Sequence, residues 1–187
     1  GKVLYNHAIS EARFAMKSSQ LTGILWHQGE SDSMGGRYEK YYEKLHRIMD
    51  GFRKELDAPD IPIIIGGLGG FLGQSGFGKN CTEYMLINQK LKQFAFEQDN
   101  CYFVAAAGLA CNPDGIHINA VSQRKFGLRY FEAFCRKQHI LEPLTNEDEM
   151  ILMLEARAHT KTEKTFLLSM QLALGCISYR DFMEQTQ

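Results

Sequence analysis

Apolar positions recur along this chain with two different periods, and the way those periods alternate predicts a layered α/β domain. Tyr38, Tyr41, Leu45, Ile48, Phe52 and Leu56 follow one another at steps of three or four, with Lys and Glu between them. That spacing puts one apolar stripe on a helix whose other side is wet. Tyr84, Ile87, Leu91, Phe94 and Ala95 mark a second such helix, and Phe126, Tyr130 and Phe134 a third that Asn119 or Ser122 could cap. Asn6–Ser18 carries Ile9, Ala12, Arg13 and Met16 at the same spacing. Between these segments lie short runs of another kind. Leu21–His27, Ile61 with Ile63–Ile65, and Tyr102–Val104 are too continuously apolar to face water on one side. Such runs fit strands buried on both faces.

The order helix, strand, helix, strand, helix, strand, helix predicts a three-layer α/β/α domain built on a parallel sheet, over residues 1–142. After Pro143 no strand pattern remains. Thr145–Arg157, Lys161–Leu174 and a shorter stretch near Tyr179–Met183 read as a helical C-terminal extension over 143–187.

Composition narrows the partners. With 44% hydrophobic and 23% charged residues, the chain of 187 has the make-up of an ordinary globular domain with a small appendage. A formal net charge of -1 supplies no basic field for nucleic acid or an anionic membrane surface. The longest apolar stretch, Phe166–Ile177, is interrupted by Ser169, Gln171 and Gly175 and falls short of a membrane span. Five cysteines, an odd number without C-x-x-C spacing, read as buried small residues in a reducing compartment. That favours the cytoplasm, although a chain opening at Gly1 leaves the compartment undetermined.

Candidate chemistry sits behind two of the strands. Trp26-His27-Gln28-Gly29-Glu30-Ser31-Asp32 follows the first apolar run, and Asp114-Gly115-Ile116-His117 follows the last. Ligands of parallel sheets bind outside the carboxyl ends of the strands. A carboxylate three residues before an imidazole can fold back, fix one ring nitrogen and leave the other as a general base. The plainer reading of Asp114 and His117 is an Asx turn beside a surface histidine. On an extended backbone Gln28 and Glu30 would point the same way. Gln28 offers an N–H donor suited to an oxyanion, and Glu30 a carboxylate that could support an imidazolium. His27 and Trp26 would line or underlie the pocket, while His7, His46, His139 and His159 are expected to be solvated.

The heptad Trp26–Asp32, followed much later by Asp114–His117, resembles the carbohydrate acetylesterases of the SGNH (GDSL-like) hydrolase superfamily, in particular the sialate O-acetylesterase-type family. The likeness spans about the first three quarters of the chain in order and spacing of elements. It implies a three-layer α/β/α fold and removal of acetyl groups from sugar hydroxyls, with no metal or other cofactor. It further implies His117 as the base, Gln28 in the oxyanion hole, and either Asp114 or Glu30 orienting the base. The partner it implies is an acetylated carbohydrate.

One part of that pattern has no counterpart in place. The family's nucleophilic serine lies after its first strand, in a Gly-Gln-Ser-Asn type turn upstream of the Gln-Gly-Glu element. Ser10, Ser18 and Ser19 lie in or at the end of a helical pattern without glycine. The expectation is therefore that the first strand and its serine precede Gly1, and that this chain turns over little or no substrate. Gly73-Gln74-Ser75-Gly76 copies the turn, but after the wrong strand. Other readings compete. A non-catalytic carbohydrate- or partner-binding module could keep the same pocket. Gly73–Asn80 approaches a phosphate-binding loop, with Asn80 where that loop needs a hydroxyl. A metal is conceivable if His27, Glu30, Asp32, Asp114 and His117 converge, although metalloprotease spacing is absent.

Overall fold

The computed structural model describes residues 2–186. Its contacts divide the chain into two compact units, Gly1–Glu147 and Asp148–Gln187. The first unit holds a sheet of three parallel strands in the order β1 (Ile24–Trp26), β2 (Ile63–Gly66), β3 (Cys101–Val104). Four helices accompany it: α1 (Lys2–Ala15), α2 (Tyr41–Glu55), α3 (Tyr84–Glu97) and α4 (Ala120–Arg136).

Side-chain alternation along β2 assigns the layers. Ile63 and Ile65 pack with Tyr41, Leu45 and Met49 of α2 and Ile87, Leu91 and Phe94 of α3. Ile64 points the other way, into a cluster with Val104 and with Phe126, Tyr130 and Ala133 of α4. All three isoleucines are 0% exposed, as expected for a strand with helices on both faces. α1 lies against α2, where Tyr5 stacks on Phe52 and the Arg13 guanidinium donates to Glu55 O.

β1 is shorter than the run Leu21–His27 suggests, and the chemistry of β2 explains its start. Ile24 N–H donates to Pro62 O at 2.9 Å. The ladder cannot continue backward, because Pro62 has no N–H to offer the preceding turn of the ladder. At the other end of the domain Asn119 caps α4, its side-chain oxygen accepting the Ser122 N–H at 2.9 Å.

The expectation of solvated histidines fails at His139. Its ring stacks on Phe96 at 3.9 Å, and Nδ1 accepts the Phe103 backbone N–H at 3.0 Å. A ring nitrogen there satisfies the donor that the outer side of β3 would otherwise leave unpaired.

The second unit contains α5 (Glu147–Ala156) apart from its first residue, α6 (Lys161–Ala173) and α7 (Tyr179–Thr186). Thr160 and Glu163 form a reciprocal capping box at the start of α6. Ser178 and Asp181 exchange equivalent bonds at the start of α7. Among the described residues, no helix is long and apolar enough to cross a membrane.

Candidate active site

Because the strands are parallel, the segments leaving Trp26, Gly66 and Val104 all emerge at one rim of the sheet. The segment after β1 does not stay extended. Gly29 takes φ +147°, and a Cβ there would lie 2.7 Å from Ile87 Cγ2, so only glycine fits the turn. Glu30–Asp32 then winds into a short 3-10 turn. Gln28 and Glu30 consequently do not share the side of a strand, contrary to the expectation from their spacing. Gln28 Nε2 donates to Asp32 Oδ2 at 2.9 Å, and Gln28 O accepts the Tyr41 hydroxyl at 2.7 Å. Glu30 Oε2 accepts the Gly29 N–H at 3.1 Å, and its Oε1 lies 3.5 Å from His27 Nε2. The histidine beside Glu30 is thus His27, which also meets the Phe126 ring edge-on at 5.4 Å.

Asp114 and His117 form a second, tighter pair. Asp114 Oδ2 lies 2.8 Å from His117 Nδ1, and Asp114 Oδ1 accepts the backbone N–H groups of Ile116 and His117, each at 3.0 Å. The Ile116 amide, the His117 ring and the His117 amide together pull the Asp114 carboxyl down to about 2. The imidazole itself is 74% exposed. This is an Asx turn and a carboxylate-held imidazole in one arrangement, so the two geometries read from the motif are not exclusive.

The glycine-rich segment after β2 connects the parts. Phe77 N–H donates to Asp114 O at 2.7 Å. A Cβ on Gly76, at φ +58°, would meet Asp114 O at 2.1 Å, and one on Gly115 would meet Ser75 O at 2.3 Å. The two loops therefore touch backbone to backbone. Gly76–Asn80 is a 3-10 turn and α3 begins only at Tyr84, so this loop does not open an α-helix as a phosphate-binding loop does.

Sequence reasoning missed the side chains that hold these loops. The Glu83 carboxylate accepts the Gly36 N–H at 2.9 and 3.1 Å, and Glu83 N–H donates to Ser33 O at 2.8 Å. Asn88 grips Leu68 at both ends, accepting from its N–H at 2.7 Å and donating to its C=O at 2.9 Å. Arg129, 0% exposed, donates to Ala105 O and Ala107 O at 2.8 Å and pairs with Glu147 at 2.7 and 2.8 Å. Partners this far away in sequence leave no signal in it.

Among the described residues, no hydrogen bond joins Gln28 or Glu30 directly to Asp114 or His117. Nor do three or more His, Cys, Asp or Glu side chains gather there as a metal-binding group. Two buried thiols are unsuited to act as nucleophiles. Burial, with a smaller contribution from the Glu30 charge, pushes the Cys81 thiol up. Burial takes Cys101 up to about 12.

A parallel sheet layered between helices, with a carboxylate-held histidine behind one strand and an amide-bearing loop behind another, defines a three-layer α/β domain with candidate catalytic groups beyond the carboxyl ends of its strands. Residues 1–136 match the family model for carbohydrate esterases described as sialic acid-specific acetylesterases, and the chain belongs to that family. It is 25% identical over 139 residues to the probable carbohydrate esterase At4g34215 of Arabidopsis thaliana, covering 72% of this chain and 48% of that protein. The 1.6 Å X-ray structure of that Arabidopsis protein superposes with a TM-score of 0.61 at 24% identity, over 71% of this chain and 52% of the other. That likeness speaks for the shared fold. The chain spans about half the length of the relative it matches.

Proposed function

We propose that the first unit carries the acid–base part of a carbohydrate O-acetylesterase. In this reading His117 is the base, Asp114 its orienting acid, and Gln28 a donor to the oxyanion. A serine Oγ attacks the acetyl carbonyl while His117 Nε2 takes its proton. The tetrahedral oxyanion collapses, and the sugar oxygen leaves with that proton, giving an acetyl-serine. Water, deprotonated by the same nitrogen, then releases acetate and restores the serine. The observation that carries the reading is the three-point hold of Asp114 on His117, in the segment between β3 and α4. Asp32 takes one N–H of the Gln28 amide, and a carboxamide nitrogen has a second for the oxyanion.

The serine is the component this reading assigns to polypeptide outside residues 1–187. The 187-residue chain is accordingly expected to release acetate from 4-nitrophenyl acetate no faster than buffer. Turnover that survives Ser75→Ala yet disappears in His117→Ala would contradict this account of the serine. A second reading has one specific observation in its favour: the Gly73–Gly76 turn lies directly against Gly115, two residues from His117. Turnover that is lost with Ser75→Ala would establish Ser75 as the nucleophile.

A further inference from the structure

The glycine loop after β2 carries a side chain that the reaction proposed above leaves unused. Phe77 is 79% exposed. A single exposed apolar side chain is ordinary on a protein surface. The backbone beneath this one is not, because it is held on both flanks. Phe77 N–H donates to Asp114 O at 2.7 Å, and Gly78 O accepts the N–H groups of Gly73 and Cys81, each at 2.9 Å. A Cβ on Gly78 would lie 2.0 Å from Gly115 O, so the two loops meet here with no side chain between them. The Phe77 ring therefore stands on a fixed frame, and that frame is fastened to Asp114 itself. Ligand-contacting residues are commonly carried on loops held in this way.

The ring borders an open cavity of about 490 Å³ shared with Gly76, Lys79, Asn80, Pro113 and Asp114. Phe77 and Pro113 supply apolar wall. The Lys79 ammonium and the Asn80 carboxamide supply N–H donors; both residues are exposed, and neither has a hydrogen-bond or ion-pair partner among the described residues. The acid of the cavity is already engaged, since Asp114 accepts the Ile116 and His117 N–H groups and holds the His117 ring. What the cavity offers a ligand is thus an aromatic face, an apolar wall and unclaimed donors.

A pyranose ring has the matching surface. Its C–H groups carry partial positive charge and suit the electron-rich face of an aromatic ring. Its oxygens, around the rim, accept from N–H donors. The space is also of the size that small ligands occupy, roughly 300–1,000 Å³. An acetyl group alone would leave most of it empty, so the cavity suits the alcohol side of an ester.

We propose that this cavity is the subsite for the sugar ring of the ester, with Phe77 as its stacking platform and Lys79 and Asn80 donating to its oxygens. The class of ligand rests on the function proposed above. The placement rests on Asp114, which walls the cavity and also holds His117. Phe77, Lys79 and Asn80 set which sugar is accepted and take no part in proton transfer.

Sugar titration of the 187-residue chain, followed by ¹H–¹⁵N NMR, tests this. The probes are the methyl pyranosides of glucose, galactose, mannose and xylose, with glucuronic acid beside them, each taken to about 50 mM. At least one neutral pyranoside should give saturable shifts at residues 76–80 and 113–114, with its own C–H protons moved upfield by the Phe77 ring. Phe77→Ala, at an exposed position and with Tm unchanged, should weaken that binding by about tenfold or more. Phe77→Trp should keep it, and Lys79→Met should weaken it several-fold. No saturable shift with any probe, or equal binding by Phe77→Ala, would overturn the proposal. So would binding confined to glucuronic acid and abolished by salt, because the ammonium alone would then be the site. Sugar binding without acetate release, in a polypeptide that supplies the serine, leaves this inference standing and removes the esterase reading. Release whose preference among sugars is unmoved by Phe77→Ala does the reverse.

Discussion

Asp114 and His117 are joined through both carboxylate oxygens: Oδ2 lies 2.8 Å from the ring Nδ1, while Oδ1 accepts the His117 backbone N–H at 3.0 Å. The same carboxylate thus sets where the histidine backbone lies and which way its ring turns. A carboxylate accepts only, so in the neutral ring the proton sits on Nδ1 and Nε2 is left without one.

Asp114→Asn tests that tautomer. An amide can present its N–H₂ to the ring as readily as its oxygen, which would move the ring proton to Nε2. Ring ¹⁵N shifts at neutral pH should show Nδ1–H in the parent chain and a shift toward Nε2–H in the variant. An unchanged tautomer would mean that Asp114 does not orient the base.

Acid should loosen this loop late. The Asp114 carboxyl is depressed to about 2 in the folded chain from its ordinary 3.8. A depressed carboxyl contributes stability that is fully present above its unfolded value and is lost as pH falls through the folded one. The Ile116 and His117 amides should therefore stay protected at pH 4 and lose protection between about 4 and 2. Loss already complete at pH 4 would contradict the depressed value.

The contact between the glycine loop and Asp114 predicts a local steric effect. Gly76→Ala would place a Cβ 2.1 Å from Asp114 O at a residue with φ +58°. The expected cost is about 1–3 kcal/mol, read from urea unfolding, with faster exchange at Phe77. A stability equal to the parent chain would show that the two loops separate freely.

What could be read from the sequence depended on how local its cause was. The helix stripes of Tyr41–Phe52 and Ile87–Phe94 and the buried run Ile63–Ile65 were legible, because periodicity records the burial of each element. The motifs Trp26–Asp32 and Asp114–His117 were legible because each lies within a few residues of chain. The turn at Gly29 was not, since it depends on the approach of Ile87 from α3. The hold of Glu83 on Gly36 spans 47 residues, and that of Asn88 on Leu68 spans 20. Such pairs leave no period in the sequence. His139 was misread for the same reason: its ring is committed to Phe96 and to the Phe103 amide, neither of them near it in the chain.

Arg129 gives the sharpest stability prediction. It joins α4 to the backbone leaving β3 and pairs with Glu147 at 1% and 8% side-chain exposure. Arg129→Met strands the Glu147 carboxylate and two carbonyl oxygens, at a cost of about 3–5 kcal/mol in chemical unfolding. Adding Glu147→Leu should recover part of that loss, because the stranded charge is removed. A double variant worse than the sum of the two singles would contradict this view of the pair.

Release of acetate from an O-acetylated sugar, followed by NMR with a polypeptide that supplies the serine of the proposed reaction, tests the role of His117 most directly. The account predicts turnover in the parent protein and a fall of about a thousandfold or more in His117→Ala with its fold intact. Equal release by the parent and the folded variant would contradict it.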